Sequence, residues 1–297
     1  MQKTIRSFIF SLALATAVHA QPANTPIANT EFTHTNGQKV LLGRCSPSIM
    51  QQGIYREWYE RSYGTYTVDK EIAGRLRPLL KEKEIEIFAG SWCSDTRREI
   101  PRLMKILQEA GADTSQLTLI FVDNSKELYK QSPQHEEAGK AIHRIPTIVV
   151  YDKGREVNRI VEKPVRSLEQ DLLDILSGDR YIAHYYATTY WQRLKGTDKA
   201  LAPKRIRTIA KQLKGVAGGP AEFNGYSIAL SAQGRLTEAT NVLEVNKRLF
   251  PEDPMSYISL GKLYSQSSNI TAARENLERA LALQPGNSEA RELLEKL

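Results

Sequence analysis

Only two cysteines, Cys45 and Cys93, occur among the 297 residues. Two thiols can close one internal disulfide at most, so a small fold built on disulfides is excluded. The same count excludes a four-cysteine zinc site. No CxxC or MxxM spacing supports a soft-metal site at Cys93, His143 and Cys45, so neither a metal nor another cofactor is expected. Long apolar runs are also missing. The run Phe8 to Val18 falls well short of the roughly 20 residues that span a bilayer, and nothing later approaches that length. A stable membrane anchor is therefore not expected. Charge of one sign is absent from residues 1–20, which hold Lys3 and Arg6 but no Asp or Glu.

What is present at that end is an export pattern. Lys3 and Arg6 form a positive start, Phe8 to Val18 an apolar centre, and Val18-His19-Ala20 a cleavage site with small residues at both required positions. Residues 1–20 are read as a signal peptide, giving an exported protein, periplasmic or secreted. No Cys follows the cleavage site, which argues against a lipid anchor. Removing Lys3 and Arg6 lowers the net charge of +7 to about +5. That excess is too mild to imply nucleic acid as a partner. The remainder, 41% hydrophobic and 25% charged over the whole chain, is ordinary globular composition with length for two cores.

Residues 21–66 read as a polar N-terminal tail, Gln21 to Thr35, and an extension rich in aromatics: Tyr55, Trp58, Tyr59, Tyr63 and Tyr66. From 67 to 178 the periodicity alternates. Val68 to Lys83 has a helical stripe at Ile72, Leu76 and Leu79, and Ile85 to Ala89 is a β-rich run ending at Gly90. Arg97 to Ala110 is an amphipathic helix, with Ile100, Leu103, Met104 and Leu107 on one side. Leu117 to Val122 reads as a strand buried on both faces. Asp152-Lys153-Gly154 between two β-rich runs signals a hairpin, and Ser167 to Leu176 a closing helix. Helix, strand, helix, strand, hairpin and helix make an α/β layer fold.

Trp92-Cys93-Ser94-Asp95-Thr96 lies where the strand gives way to the helix. It resembles the W-C-x-x-C turn of the thioredoxin family, with Thr96 in place of the second Cys. Arg144-Ile145-Pro146-Thr147, just ahead of a strand, is similar to that family's cis-proline segment. The run Gly90 to Pro101 (GSWCSDTRREIP) also resembles exported bacterial members of the family. The resemblance implies a thioredoxin-like fold, thiol–disulfide exchange with Cys93 as nucleophile, and Pro146 with Ile145 and Trp92 presenting the substrate. Its expected partners are exported proteins carrying thiols or disulfides.

A thiol at a helix N-terminus faces unpaired N–H groups that favour thiolate. Thr96 is placed to donate a hydrogen bond to the sulfur, Arg97 and Arg98 add positive potential, and Asp95 opposes them. His143 reads as a packing residue or as a proton donor. The missing second Cys leaves three readings open. Cys45 resolves the mixed disulfide from a distance; or Cys93 works as a monothiol resolved by an external thiol; or Cys93 is redox-silent on an envelope scaffold kept for interaction.

Residues 179–220 contain Tyr181, Tyr185, Tyr186, Tyr190 and Trp191, then a basic segment through Lys214, and read as a helical connector with a solvated basic face. From 221 to 297, Tyr257, Leu260, Gly261, Tyr264, Ala273, Leu277, Ala280 and Pro285 resemble a tetratricopeptide repeat, a unit of about 34 residues. Phe223, Tyr226, Leu230, Ala239, Leu243 and Pro251 mark an earlier copy, and Ser288 to Leu297 a capping helix. The expected architecture is thus an α/β thioredoxin-like fold followed by an all-α tetratricopeptide-repeat module. The resemblance implies a peptide or protein partner at the repeats.

Overall fold

The computed structural model describes residues 28–194 and 196–297. The signal peptide read over residues 1–20 lies outside the described residues. Strands β1 (Thr30–Thr33) and β2 (Lys39–Cys45) are followed by helices α1 (Arg56–Thr65) and α2 (Lys70–Leu79). Then come β3 (Lys83–Ala89), α3 (Ser94–Ala110), β4 (Leu117–Phe121), β5 (Thr147–Asp152), β6 (Arg155–Val161) and α4 (Leu168–Ser177). The sheet has six strands in the order β1-β2-β4-β3-β5-β6. Only β3 and β4 run parallel; the other neighbours are antiparallel.

The parallel pair sits at the centre because α3 carries the chain back across the sheet between them, as a parallel connection requires. On one face, Ile85, Ile87 and Ala89 join Leu119, Phe121, Ile148 and Val150 beneath α1 to α4. On the other, Phe88, Ile120, Val122 and Val149 are covered by Ile142 and Ile145 from the segment between β4 and β5. Helix α3 buries Ile100, Leu103, Met104 and Leu107, as the periodicity predicts. Asp69 caps α2 by accepting from the Ile72 N–H at 3.0 Å, and Ser167 caps α4 by accepting from that of Gln170 at 3.2 Å.

The N-terminal extension departs from expectation. Residues 30–33, read as tail, form the exposed edge strand β1, in register with β2 from Thr30 opposite Leu42 to Thr33 opposite Lys39. Strand β2 in turn pairs with β4, so the α/β unit begins near residue 30 rather than 67. The aromatic residues belong to it too. Tyr55 and Tyr59 are buried in the sheet core, and Lys105 of α3 donates to the Tyr63 and Tyr66 carbonyls at 2.9 and 2.6 Å. That cation satisfies the carbonyls left open at the end of α1.

The C-terminal region is all helical: α5 (Tyr186–Gln192), α6 (Pro203–Leu213), α7 (Pro220–Ala232), α8 (Leu236–Leu249), α9 (Pro254–Gln266), α10 (Ile270–Leu283) and α11 (Ser288–Glu295). Pairs α7–α8 and α9–α10 pack as antiparallel hairpins. The first helices stack on one another, α5 on α7, α7 on α9 and α9 on α11, while α6 packs on α8. Residues 179–220, read as a helical connector, hold two helices, α5 and α6, that pack onto the helices after them. The physical reason is Trp191, fully buried with Ile206, Ile209 and Leu213 against Phe223 and Leu243. Its indole donates to Glu238 at 2.9 Å.

The two units share an interface built on the segment between β4 and β5. Gln131 donates to the Ala232 carbonyl at 3.0 Å, Arg144 to that of Ala221 at 3.3 Å, and Gln192 of α5 to that of Gly139 at 3.0 Å. The His143 ring meets Tyr185 and Tyr226 edge to face, each with centroids 5.5 Å apart.

Candidate active site

Strand β3 delivers Gly90 to a tight turn that ends at Cys93, the N-cap of α3. The Cys93 N–H donates to the Gly90 carbonyl at 2.9 Å. A Cβ at Gly90 would lie 2.5 Å from Ile145 Cδ1 and 2.8 Å from Trp92 Cε2, so only glycine admits this close approach. The turn is tied down on every side. Ser91 Oγ accepts from the buried Leu41 N–H at 3.0 Å, Trp92 Nε1 donates to the Val122 carbonyl at 3.1 Å, and Arg97 Nε to the Ser91 carbonyl at 2.7 Å.

The Cys93 sulfur is partly exposed and donates to the Ile145 carbonyl at 3.5 Å. The Ile145–Pro146 bond is cis, and Ile145 is buried. Trp92, Cys93, Ile145 and Pro146 thus meet at one place. Thr96 faces the same turn but does not serve the sulfur as expected. It is fully buried, and its Oγ1 accepts from the Gly90 N–H at 3.2 Å, so it braces the strand end. The two arginines are also committed elsewhere. Arg97 donates to the Ser91 carbonyl, and Arg98 pairs with Asp95 and Glu99, each at 2.6 Å.

Cys45 is not brought to Cys93. It lies on β2 opposite Leu119 of β4, which is itself opposite Ile87 of β3. Two strand spacings place it roughly 10 Å from β3 laterally, beyond the roughly 7 Å that a disulfide allows between Cα atoms. The faces differ as well. Cys45 packs into the helix-covered core, whereas Cys93 packs beside Phe88 and Ile145 on the other side. Only 2% of Cys45 is exposed, and burial pushes its thiol up to about 11. The reading in which Cys45 resolves Cys93 is not supported by this arrangement.

Lys130 was not singled out by any motif, yet it is the cation of the site. Its ammonium lies 4.3 Å from the Trp92 ring centroid and 4.8 Å from that of Tyr129, with 5% of the residue exposed. Burial brings the amine down to about 8, while the negative charge of Cys93 acts to keep it protonated. The residue sits in a long loop with positive φ, held by its N–H to the Asp123 carbonyl at 3.0 Å. No periodicity or spacing marks such a position, because only the loop's path carries it to Cys93. His143 is a packing residue. It is 4% exposed, and burial holds its ring down at about 3, so it is neutral near pH 7 and is no proton donor there. Among the described residues, no group of three or more His, Cys, Asp or Glu side chains is arranged to hold a metal ion.

A parallel strand pair ending in a cysteine-capped helix, with a cis-proline against the sulfur, defines the thioredoxin class of fold. The family model described as Thioredoxin matches residues 49–172, and that α/β unit is followed by an all-helical region. No curated protein and no solved structure matches the chain significantly.

Proposed function

We propose that this protein is a monothiol exchange factor of the cell envelope, acting on exported proteins that carry thiols or disulfides. The observation that carries the reading is the position of Cys93, at the N-terminus of α3 with its sulfur 3.5 Å from the Ile145 carbonyl ahead of cis-Pro146. The thiolate is the attacking form, and the Cys93 sulfur is partly exposed at the helix N-terminus, with the Lys130 ammonium over the neighbouring Trp92 ring. That thiolate attacks one sulfur of a substrate disulfide. The S–S bond breaks, Cys93 is joined to substrate, and the other substrate sulfur leaves as thiolate. Since Cys45 is out of reach, a second thiol, from the substrate or a small thiol such as glutathione, attacks the mixed disulfide and frees Cys93. Ile145 and Pro146 offer a backbone edge against which an extended substrate lies.

Export rests on the pattern of residues 1–20. The helical region is read as tetratricopeptide repeats, on the residues at Tyr257, Gly261, Ala273 and Ala280 and their earlier copy, and it recruits a protein partner.

Glutathione disulfide tests the reading. Intact mass after incubation is expected to show one glutathione adduct, mapped to Cys93, absent in Cys93→Ser and discharged by excess reduced glutathione. A wild-type protein that takes up no adduct at its partly exposed Cys93 would leave the alternative, an interaction scaffold with a redox-silent cysteine.

A further inference from the structure

The basic segment of the sequence has no place in the thiol chemistry. From Lys199 to Ala221 the chain contains no acidic residue, while Lys204, Arg205, Arg207, Lys211 and Lys214 fall on or at the end of α6. The apolar face of α6 is buried through Ile206, Ile209 and Leu213, which leaves its cations outward. None of these cations has a carboxylate partner among the described residues.

This face opens into the largest cavity among the pockets described, about 600 Å³. Its lining comes from the second helices of successive pairs: Arg207 on α6, Lys247 and Arg248 on α8, and Asn276 on α10, with Tyr257 from α9. It therefore lies away from the Arg144 contact with α7, which the thioredoxin domain covers. Lys247 is held in place, its ammonium 2.8 Å from Glu244 and 3.5 Å from the Asn276 side-chain oxygen. Asn276 is itself buried and donates to the Ala272 carbonyl at 2.7 Å. Arg207 and Arg248 have no such commitment. Each offers a planar fork that suits a carboxylate held by two hydrogen bonds. Glu275 is the sole acid of the lining.

We propose that this cavity binds an acidic segment of a partner protein, with Arg207 and Arg248 each taking a carboxylate. The volume is within the range of roughly 300–1,000 Å³ usual for ligand sites and accommodates a few side chains. A nucleic acid fits less well. Single strands are held on free aromatic faces along a basic groove, whereas Tyr257, the one aromatic of the lining, is buried and the exposed Glu275 adds a negative charge.

The test is fluorescence anisotropy of labelled hexaglutamate with the full chain, against hexaglutamine and a thymidine hexanucleotide. The glutamate peptide is expected to bind, more weakly as salt rises, and to lose about tenfold or more in affinity in Arg207→Glu/Arg248→Glu. Arg207→Gln/Arg248→Gln, which removes charge without reversing it, is expected to lose less. Both arginines are exposed, so circular dichroism should show both variants folded. Three results would each overturn the proposal: hexaglutamate binding no better than hexaglutamine, unchanged affinity in the reversed variant, or tighter binding of the hexanucleotide. Cys93→Ser is expected to bind hexaglutamate as wild type does, which keeps this site's failure separate from that of the thiol reading.

Discussion

Acidification should weaken the junction between the two units through His143. Its Nδ1 donates to the Ala141 carbonyl at 3.1 Å, which fixes the neutral tautomer, and Nε2 is buried without a partner. Arg144, Arg159 and Lys130 add positive charge nearby and oppose a second proton. The ring's value falls from an ordinary 6.5 to about 3 on folding. The unfolded chain therefore binds a proton more readily than the folded one between those limits. Stability rises with pH through that window and is lost as pH falls from 6.5 toward 3. By pH 5 about 1.5 units of the window have been crossed, at about 1.4 kcal/mol per unit, so His143 should cost about 2 kcal/mol. The perturbation is His143→Gln, and the assay is urea unfolding near pH 7 and near pH 5. The substitution will lose packing against Tyr185 and Tyr226 at both values, and that loss cancels in the difference. Other titrating groups are common to both proteins. Wild type should lose about 2 kcal/mol more than the variant between the two conditions. If both proteins weaken equally on acidification, the buried neutral histidine is not what makes the fold acid-sensitive, and the reasoning fails.

Lys130→Met should slow iodoacetamide alkylation of Cys93 near pH 7 by about three- to tenfold, by removing the buried cation over the neighbouring Trp92 ring; an unchanged rate would show that Lys130 only packs against Trp92. The same variant should be insensitive to a gain in stability that wild type shows above pH 8. The folded amine sits at about 8 against 10.5 unfolded, so its burial penalty is relieved as pH rises across that interval. Gly261→Ala should cost about 1–3 kcal/mol in thermal or urea unfolding, because its Cβ would stand 2.6 Å from Leu277 Cγ and 2.7 Å from Cδ2. Gly64→Ala on α1 meets no atom within 4 Å and should be neutral or mildly stabilising, so equal losses at the two glycines would refute the packing argument.

Much of the fold was legible because local pattern and tertiary fate agree. The stripe of α3 is buried as its period demands, β4 is apolar on both faces because both are covered, and the cis-proline stands where its neighbours announce it. The edge of the sheet was not legible. Thr30–Thr33 is polar and wholly exposed, and nothing in such a run predicts pairing until β2 offers it an open ladder. How the helical connector packs was not legible for a similar reason. Seven residues of α5 carry little periodicity, and what anchors them is Trp191 reaching Glu238 on α8 and Phe223 on α7.

By itself, the sequence determined the α/β order, the helical C-terminus, the place of Cys93 at the strand-to-helix turn and the proline segment beside it. Each of these rests on period, capping or a short motif, and those are properties of neighbouring residues. The tertiary structure alone decided the roles of the other candidates. Two thiols can be assigned to opposite faces only once the strands have an order, which separates Cys45 from Cys93. Lys130 becomes the cation of the site, and His143 a neutral packing ring, through what surrounds them. Charge state depends on desolvation and on partners distant in the chain, and neither is written in a residue's own neighbourhood.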